Sequence, residues 1–430
     1  MGGAALWDDL AVAARIHVVG MGLAGLAAAV EIAAAGQALT IYEQAGHAGG
    51  RCRSFFDDSL GQLIDNGNHL VLSGNRSLYA FLRRIGATDR LGGPARAVFP
   101  FVDLQTGERW TLRPGSGPVP WWIFVPGRRV PGTRVRDYLA GLRFARADGR
   151  STVAECVGSQ GALYRRFWQP LAVAVLNAEA DEGAARLLWP VLRETFGRGE
   201  AACRPRMANR GLGDCFIDPA LAYLREHGAE MRFHTRLRGI NISGDRACQL
   251  VFVNGSVPVA AEDSVVLAVP PAAATALLPG LVTPEESRAI VNAHFRIPER
   301  FPTPKFIGLV GAISQWVFVR DNVASVTVSA ADSLAEETND AIAAKLWPEV
   351  CRALEIHDQG LLAWRVVKEK RATFAQTPAE LARRPGFRTC IANLVLAGDW
   401  TDTGLPATLE GSVRSGHTAA ASVLATATSA

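Results

Sequence analysis

Cysteine pairs are missing from this sequence. Seven cysteines are scattered over 430 residues, and none of them belongs to a C-x-x-C pair. An odd, dispersed set argues against a disulfide framework and against a cysteine-based zinc site. We therefore interpret the thiols as reduced and expect a cytoplasmic protein that binds no metal.

Strong net charge and long apolar runs are also lacking. The formal net charge of +4 is too small to indicate nucleic-acid binding. One uncharged stretch, residues 264–284, is long enough to span a membrane, but it contains four prolines, which disfavour a continuous helix. We predict a strand, a Pro-Pro turn and a short alanine-rich helix there. At the N-terminus, Asp8 and Asp9 interrupt any secretory signal.

A glycine-rich turn near the N-terminus is the most specific motif present. Residues 16–25 form an apolar strand that leads into a G-x-G-x-x-G turn, and an alanine-rich helix follows. Gly20 permits a tight turn, Gly22 lets a pyrophosphate approach the backbone, and Gly25 lets the helix pack close to the strand. The helix N-terminus attracts negative charge. This order predicts a dinucleotide site.

An acidic residue stands at the end of the next predicted strand. Residues 38–42 are apolar, and Glu43 follows them. A carboxylate at this place accepts hydrogen bonds from ribose hydroxyls. It also repels the additional phosphate of NADP. We therefore expect Glu43 to bind the ribose of a nucleotide that lacks this phosphate.

The C-terminal part of the chain carries a similar pattern. The apolar run at residues 394–397 leads into Gly398 and Asp399, and a turn around Gly411 and Ser412 begins a helix. A carboxylate after a buried strand suits polyol hydroxyls, and a helix N-terminus suits a phosphate or an anionic flavin ring. Two such patterns at opposite ends of one chain favour a long ligand with two hydroxylated halves, which indicates FAD rather than NAD.

With these motifs, the chain resembles the FAD-dependent amine oxidase and phytoene desaturase superfamily. The supporting motifs are the turn with Glu43, residues 49–51, residues 396–399 and residues 410–412. Within the superfamily, four further stretches resemble the hydroxysqualene dehydroxylases: residues 65–69, 290–295, 308–316 and 397–408. The resemblance extends from about residue 15 to residue 425.

The resemblance implies an α/β fold with a discontinuous, Rossmann-like FAD-binding domain and an inserted α+β substrate domain. The predicted FAD-binding pieces are residues 1–75, 206–285 and 390–430, and the substrate-domain pieces are residues 76–205 and 286–389. The implied FAD-binding residues are Gly20, Gly22, Leu23, Ala24, Gly25, Glu43, Gln44, Gly50, Arg51, Gly67, Leu237, Gly398, Asp399, Gly411 and Ser412.

The resemblance also implies a reaction. It predicts an FAD-dependent oxidoreductase that reductively removes the hydroxyl of hydroxysqualene to give squalene in hopanoid biosynthesis, with an apolar C30 isoprenoid as substrate. Three alternatives stay open. The chain could be an isoprenoid desaturase, which moves hydride in the opposite direction, an amine oxidase, or a lipid-binding flavoprotein without turnover.

Two features of related flavoenzymes are not found. We see no pair of aromatic residues suited to cage an amine, and we expect Lys305 to be a surface residue rather than a catalytic lysine. Residues 211–213 lack the third glycine and the preceding strand of a second dinucleotide motif. The sequence therefore predicts no built-in NAD(P)H site.

Loss of a hydroxyl requires an acid, and we searched the eight histidines for one. His69 and His294 are the better candidates. We favour His69, because it follows a turn that the resemblance brings toward the flavin, and we expect Asp65 to orient or charge its imidazole. A hydrogen-bonded structural histidine is the alternative.

Two apolar segments of the predicted substrate domain have two interpretations each. Trp121, Trp122 and Phe124 precede Arg128 and Arg129. Such a loop is typical of a peripheral membrane contact, here on the inner face of the cell membrane, although both tryptophans could instead be buried. The predicted helix at residues 159–178 has an apolar face that suits either a cavity wall or, by default, ordinary core packing. That face consists of Phe167, Trp168, Leu171, Val175 and Leu176.

Overall fold

The computed structural model describes residues 14–427, apart from the side chains of residues 299–304 and 427. The prediction about a secretory signal rests on Asp8 and Asp9, which lie outside this range. The strands are β1 (Arg15–Val19), β2 (Ala38–Tyr42), β3 (Ser54–Asp57), β4 (Gln62–Asp65), β5 (Val71–Leu72), β6 (Leu91–Gly92), β7 (Phe99–Asp103), β8 (Arg109–Leu112), β9 (Pro205–Ala208), β10 (Glu230–Arg232), β11 (Leu237–Ser243), β12 (Arg246–Phe252), β13 (Gly255–Pro258), β14 (Ser264–Leu267), β15 (Ser287–Val310), β16 (Trp316–Val328), β17 (Trp364–Phe374) and β18 (Leu394–Leu396).

The helices are mostly short. They are α1 (Leu23–Ala34), α2 (Arg76–Arg84), α3 (Val135–Tyr138), α4 (Val153–Val157), α5 (Gln169–Leu176), α6 (Leu188–Glu194), α7 (Asp218–Glu226), α8 (Pro271–Leu277), α9 (Asp332–Ala335), α10 (Asn339–Leu354), α11 (Pro378–Ala382) and α12 (Leu409–Ala427). In the part of the chain that the structure describes, no helix combines the length and apolarity that a membrane span requires.

A parallel five-stranded sheet gathers pieces from the whole chain. Its strand order is β10-β2-β1-β14-β18, and every neighbouring pair is parallel. The central strands β1 and β14 are almost entirely buried, which explains their continuous apolar sequences. Because the strands are parallel, the turns that follow β1, β2, β14 and β18 meet at one edge of the sheet.

The first and last helices pack directly on each other beside this sheet. A Cβ at position 416 of α12 would lie 2.3 Å from the carbonyl oxygen of Ala24 in α1, so only glycine fits there. The alanine-rich sequence of α1 allows the same close approach, since its residues are buried nearly all round. Helix packing thereby brings the two ends of the chain together.

A second sheet is built on the long strand β15. The order β16-β15-β7-β8 is extended by β17, which pairs with β15 on the same stretch. The hairpin predicted for residues 98–102 and 109–112 is confirmed, with Phe99 opposite Leu112. Helix α10 covers one face through buried residues such as Leu346 and Trp347. A set of short helices between residues 121 and 202 forms a further apolar core beside the sheet.

Two predicted helix boundaries are wrong. The Asp218-Pro219 pair in the sequence predicts that Asp218 is the N-cap of a helix, but residues 213–217 already form a turn of π-helix that runs into α7, and Asp218 has helical backbone angles. Burial of Cys215 and Phe216 in the core holds this extra turn. The sequence also predicts one helix over residues 333–355, but the structure divides it into α9 and α10, because the Thr338 hydroxyl accepts a hydrogen bond from Ala341 N and caps α10.

The expected fold class agrees with this architecture, including the Asn254-Gly255 hairpin between β12 and β13. The predicted domain boundary between residues 205 and 206 falls within strand β9, which pairs with both β5 and β6. The division of the chain into domains stays a prediction.

Candidate cofactor and substrate site

A large cavity lies between the carboxyl edge of the parallel sheet and the second sheet. Its volume is about 1570 Å³, above the roughly 300–1,000 Å³ of ordinary small-molecule sites. Thirteen of the fifteen predicted FAD-binding residues line it: Gly20, Gly22, Leu23, Ala24, Glu43, Gln44, Gly50, Arg51, Gly67, Leu237, Gly398, Asp399 and Ser412. Gly25 and Gly411 do not line the cavity.

The glycine turn after β1 is closed toward the protein and open toward the cavity. A Cβ at Gly20 would lie 2.3 Å from Ala268 O, and one at Gly25 would lie 1.9 Å from Gly20 O. A Cβ at Gly22, in contrast, would meet no atom within 4 Å. The turn therefore forms a cradle above the N-terminus of α1, which suits the pyrophosphate of a dinucleotide.

The carboxylate of Glu43 lies at the end of β2, at the same edge. Its oxygens accept hydrogen bonds from Met21 N and Ala45 N, each at 2.9 Å. These bonds fix the carboxylate, and each oxygen retains a further lone pair toward the cavity. Gln44 and Leu237 line the cavity next to it. The role of Glu43 as a ribose ligand stays a prediction.

An ion pair joins the Gly49-Gly50-Arg51 motif to the Gly398-Asp399 motif. Arg51 Nη2 donates a 2.8 Å hydrogen bond to Asp399 Oδ1. The adjacent Asp399 charge is the main reason why the pKa of Arg51 is raised above its ordinary value. Arg51 also donates to the carbonyl oxygen of Ala372 in β17. The guanidinium is thus held at the cavity wall, where it can contact an anionic ligand.

The start of α12 differs from the expectation that the backbone of Gly411 and Ser412 faces the flavin. Gly411 N donates to Thr408 Oγ1 at 3.1 Å, and Ser412 N donates to Thr408 O at 2.9 Å. Both N–H groups are therefore occupied within the first helical turn. The Glu410 carboxylate is equally occupied, since it accepts hydrogen bonds from the first turn of α2. Ser412 still lines the cavity, and its role stays a prediction.

His69 lies in the cavity wall after the turn at Gly67. A Cβ at Gly67 would lie 3.8 Å from His69 Nε2, and both residues line the cavity. Burial lowers the pKa of His69 to about 4, although the neighbouring Asp65 charge acts in the opposite direction. The imidazole is therefore neutral at pH 7. No hydrogen bond from a described residue engages its ring nitrogens.

The sequence predicts that Asp65 orients or charges the His69 imidazole, but no hydrogen bond joins the two side chains in the described part of the chain, and only the Asp65 charge acts on His69. Its Oδ2 accepts a 2.6 Å hydrogen bond from Arg320 Nη2, and its Oδ1 accepts from Ser54 Oγ and Leu212 N. It lines a second, much smaller cavity and not the large one. The Asp65 carboxylate instead forms an ion pair with Arg320 of β16.

The far end of the large cavity is apolar. Phe167, Leu171 and Val175 line it, whereas Trp168 and Leu176 are buried in the adjacent core. Phe167 also belongs to this core, and Leu171 and Val175 pack against it, so the face serves both as core packing and as cavity wall. Aromatic and aliphatic side chains complete this wall: Phe99, Phe101, Leu112, Val191, Phe196, Trp316 and Phe318.

A group of hydrogen-bonded polar side chains, which was not predicted from the sequence, also lines the cavity. Thr327 Oγ1 donates to Asn292 Oδ1 at 2.8 Å and accepts from Asn68 Nδ2 at 3.1 Å. Asn292 Nδ2 donates to Asn66 O at 3.2 Å. All of these residues line the cavity. Asn292 is buried and is the polar residue within the otherwise apolar run at positions 289–293. This interruption was the signal that could have revealed the group.

Arg384 was also missed, and no local motif marks it. Its buried guanidinium donates to the backbone oxygens of Asp399, Thr401 and Leu405. Burial lowers the pKa of Arg384 to about 10. The side chain therefore holds the loop that follows β18 and carries Asp399.

The other candidates lie apart from the large cavity. His294 is buried in β15 and bonded to Ser325 Oγ at 2.8 Å. Lys305 is exposed, as expected. Trp121 is 66% exposed, but Trp122 is only 7% exposed and packs edge-on against Tyr138. The interpretation of the two tryptophans as one exposed pair is therefore wrong for Trp122.

Comparison with known proteins identifies the family. Residues 23–424 match the family described as flavin containing amine oxidoreductase. The chain is 46% identical to hydroxysqualene dehydroxylase of Rhodopseudomonas palustris, over 95% of this chain and 98% of the relative. It is 45% identical to hydroxysqualene dehydroxylase of Sinorhizobium fredii, over 94% and 97%.

Solved structures support the fold. Putrescine oxidase bound to putrescine superposes with a TM-score of 0.70 at 15% sequence identity, over 96% of this chain and 99% of that one. At this identity the likeness concerns the fold alone. The cradle at Gly22, the acid at Glu43 and the ion pair at Asp399 fit a flavin dinucleotide. The chain therefore belongs to the flavin containing amine oxidoreductase family, where it groups with the hydroxysqualene dehydroxylases, and its cofactor is FAD.

Proposed function

We propose that this enzyme removes the hydroxyl of hydroxysqualene reductively and releases squalene. The observation that supports this most directly is the composition of the large cavity, which has a nucleotide-binding edge at one end and a hydrocarbon-lined wall at the other. A wall of aromatic and aliphatic side chains suits a long isoprenoid and offers little to a small charged amine. The identity with hydroxysqualene dehydroxylases over nearly the full length agrees with this substrate.

The residues at the sheet edge would hold FAD in the extended form that the cavity requires. Gly20, Gly22 and the N-terminus of α1 would contact the pyrophosphate, and Glu43 the adenosine ribose. Arg51 and Asp399, fixed by their mutual hydrogen bond, would face the other half of the cofactor. When bound and reduced, FAD supplies the hydride that the reaction consumes.

The apolar wall would bind the hydrocarbon chain and exclude water. Burial of apolar surface contributes about 25 cal/mol per Å², so a long chain in contact with Phe167, Leu171 and Phe318 gains most of its affinity there. Exclusion of water also protects a carbon centre that has lost its hydroxyl from being captured by solvent. The Asn68–Asn292–Thr327 group, at the inner boundary of this wall, is placed to bind the one polar group of the substrate.

His69 is the residue that we assign to proton transfer. It is a cavity-lining histidine with Nε2 on the side of Gly67. Hydroxide is a poor leaving group, so a proton must reach the departing oxygen. Since His69 is neutral at pH 7, it can pass a proton from one ring nitrogen to the other rather than store one.

A loop of the helical region would contact the membrane from which the substrate is taken. The exposed apolar side chains of Trp121, Phe124 and Val125 belong to it. Arg128 and Arg129 follow directly and suit anionic head groups. Trp122, in contrast, belongs to the core under the loop.

An anaerobic assay with reduced FAD and hydroxysqualene tests the function. We expect squalene as the product, identified by mass, with one equivalent of FADH₂ oxidised per turnover. A desaturase would instead leave hydroxysqualene unchanged and, in its oxidised form with a quinone acceptor, consume squalene or phytoene. An amine oxidase would produce hydrogen peroxide from amines and oxygen. A flavoprotein that only binds lipid would show none of these reactions.

A further inference from the structure

A second, small cavity lies on the other side of His69. Its volume is about 30 Å³, and His69, Asn68 and Phe318 line both cavities. The imidazole therefore forms part of a wall one side chain thick. The remaining lining residues are Asp65, Met207, Ala208, Leu212, Val319, Arg320 and Ser325.

The small cavity has the size and the polar lining that a buried water needs. A water molecule requires roughly 10–15 Å³ of this kind of volume and two to four polar partners. Arg320 Nη1 is buried and has no hydrogen-bond partner among the described residues, while Nη2 of the same guanidinium is held by Asp65. A buried N–H without an acceptor is costly, so the site favours an acceptor such as water.

We propose that the small cavity binds a water molecule between Arg320 Nη1 and His69, and that this water supplies the proton that His69 passes to the substrate hydroxyl. The inference rests on the proposed function and deepens it. Arg320 acts as a positioning residue. Asp65, which the sequence predicts to orient or charge His69, acts by holding Arg320.

The geometry explains how a neutral histidine can serve a reaction that consumes protons. The water protonates one ring nitrogen while the other gives its proton to the leaving oxygen, and the C–O bond breaks with its electron pair on that oxygen. A second water molecule is released, and the carbon accepts the hydride that balances the reduction. The relay water is left as hydroxide beside the Arg320 guanidinium and regains its proton from solvent, to which the Arg320 side chain is 24% exposed, and the imidazole then returns to its starting tautomer.

Filling the small cavity tests the proposal without removing any polar group. Ala208→Val adds two carbons to its wall, and Val319→Ile adds one from the opposite side in case the first variant folds poorly. Ala247→Val is the matched control, since Ala247 is also buried, at 2% exposure against 9% for Ala208, but lies in β12, away from both cavities. The readouts are FAD content, kcat and KM with hydroxysqualene, the solvent isotope effect on kcat, and a crystal structure that resolves ordered water.

We expect an ordered water within hydrogen-bond distance of Arg320 Nη1 in the wild-type crystal, and none in Ala208→Val. The filled variants should retain FAD and KM but lose kcat by about 10²-fold, the lower end of the contribution of general acid catalysis. The solvent isotope effect of the filled variants should rise as proton transfer limits turnover. The Arg320→Lys variant keeps a donor and should retain part of the wild-type kcat. A dry wild-type cavity, or a filled variant with normal kcat, overturns the proposal. If wild-type enzyme makes no squalene, the proposed function fails, and the crystal structure alone still decides whether the water site exists.

Discussion

Arg51 and Asp399 form a 2.8 Å hydrogen bond although 348 positions separate them in the sequence. Arg51 follows the Gly49-Gly50 turn, which comes after the sheet strand β2, and Asp399 follows β18, the last strand of the same sheet. Both strands end at the same edge of the sheet, so the ion pair lies in the cavity wall at that edge. This contact joins the N-terminal and C-terminal parts of the chain from which the sequence predicts a dinucleotide site.

Replacement of Glu43 should weaken FAD binding. Glu43→Gln removes a charge-assisted hydrogen bond worth about 1.5–3 kcal/mol, which corresponds to about 10–150-fold in Kd. Glu43→Arg should nearly abolish retention of the flavin. Fluorescence titration of the apoprotein measures both. Glu226→Gln, at an exposed position of α7, is the control, and a Glu43→Arg protein that purifies with full flavin content would show that Glu43 is not a ligand.

Replacement of His69 should separate catalysis from cofactor binding. His69→Ala should keep its FAD and lose at least about 10²-fold in dehydroxylation, because proton transfer to the hydroxyl loses its carrier. His294→Ala should lose less, since His294 does not line the large cavity. Single-turnover assays with flavin-loaded protein measure the difference. Near-normal turnover by His69→Ala would rule out this role.

The loop before Arg128 should govern binding to anionic membranes. The Trp121→Ser/Phe124→Ser double variant removes two exposed apolar side chains and should float with phosphatidylglycerol vesicles at least tenfold less than wild type. Trp122 is left in place because its burial makes it part of the core. Val253→Ser, at an exposed position of the β12–β13 turn, is the control. Unchanged flotation of the double variant would exclude this loop as the contact.

Acid should destabilise the protein through its buried histidines. Burial lowers the pKa of His294 to about 4, whereas an unfolded histidine has a pKa of about 6.5. Between these values the unfolded chain binds a proton that the folded chain does not, so the free energy of unfolding falls as pH falls. The slope is at most about 1.4 kcal/mol per pH unit for each such group. His69 adds a second one.

Urea denaturation at pH 7 and pH 5 measures this slope. His294→Gln keeps a hydrogen-bonding group toward Ser325 but cannot titrate, so its stability should depend less on pH than that of wild type. His357→Gln replaces an exposed histidine and should leave the slope unchanged. Equal slopes for wild type and His294→Gln would contradict the assigned pKa.

The features that could be predicted from residue order alone are those encoded within a short stretch of chain. The turn at Gly20 and Gly22, the acid at Glu43 and the Gly398-Asp399 pair each depend on one strand and the residues that follow it. Their backbone requirements are local, so residue type and spacing were sufficient to predict a dinucleotide site. The resemblance built on these motifs then led to the fold class and the cofactor, both of which agree with the family.

Long-range packing determines which neighbouring side chains are buried and which charges are paired. Trp121 and Trp122 are adjacent in sequence, yet one is exposed and the other is in the core. Asp65 lies four residues from His69, but it pairs with Arg320, 255 positions away. Burial and charge pairing depend on the elements that pack from elsewhere in the chain. For that reason the neutral state of His69 and the small cavity behind it could be found only in the folded molecule.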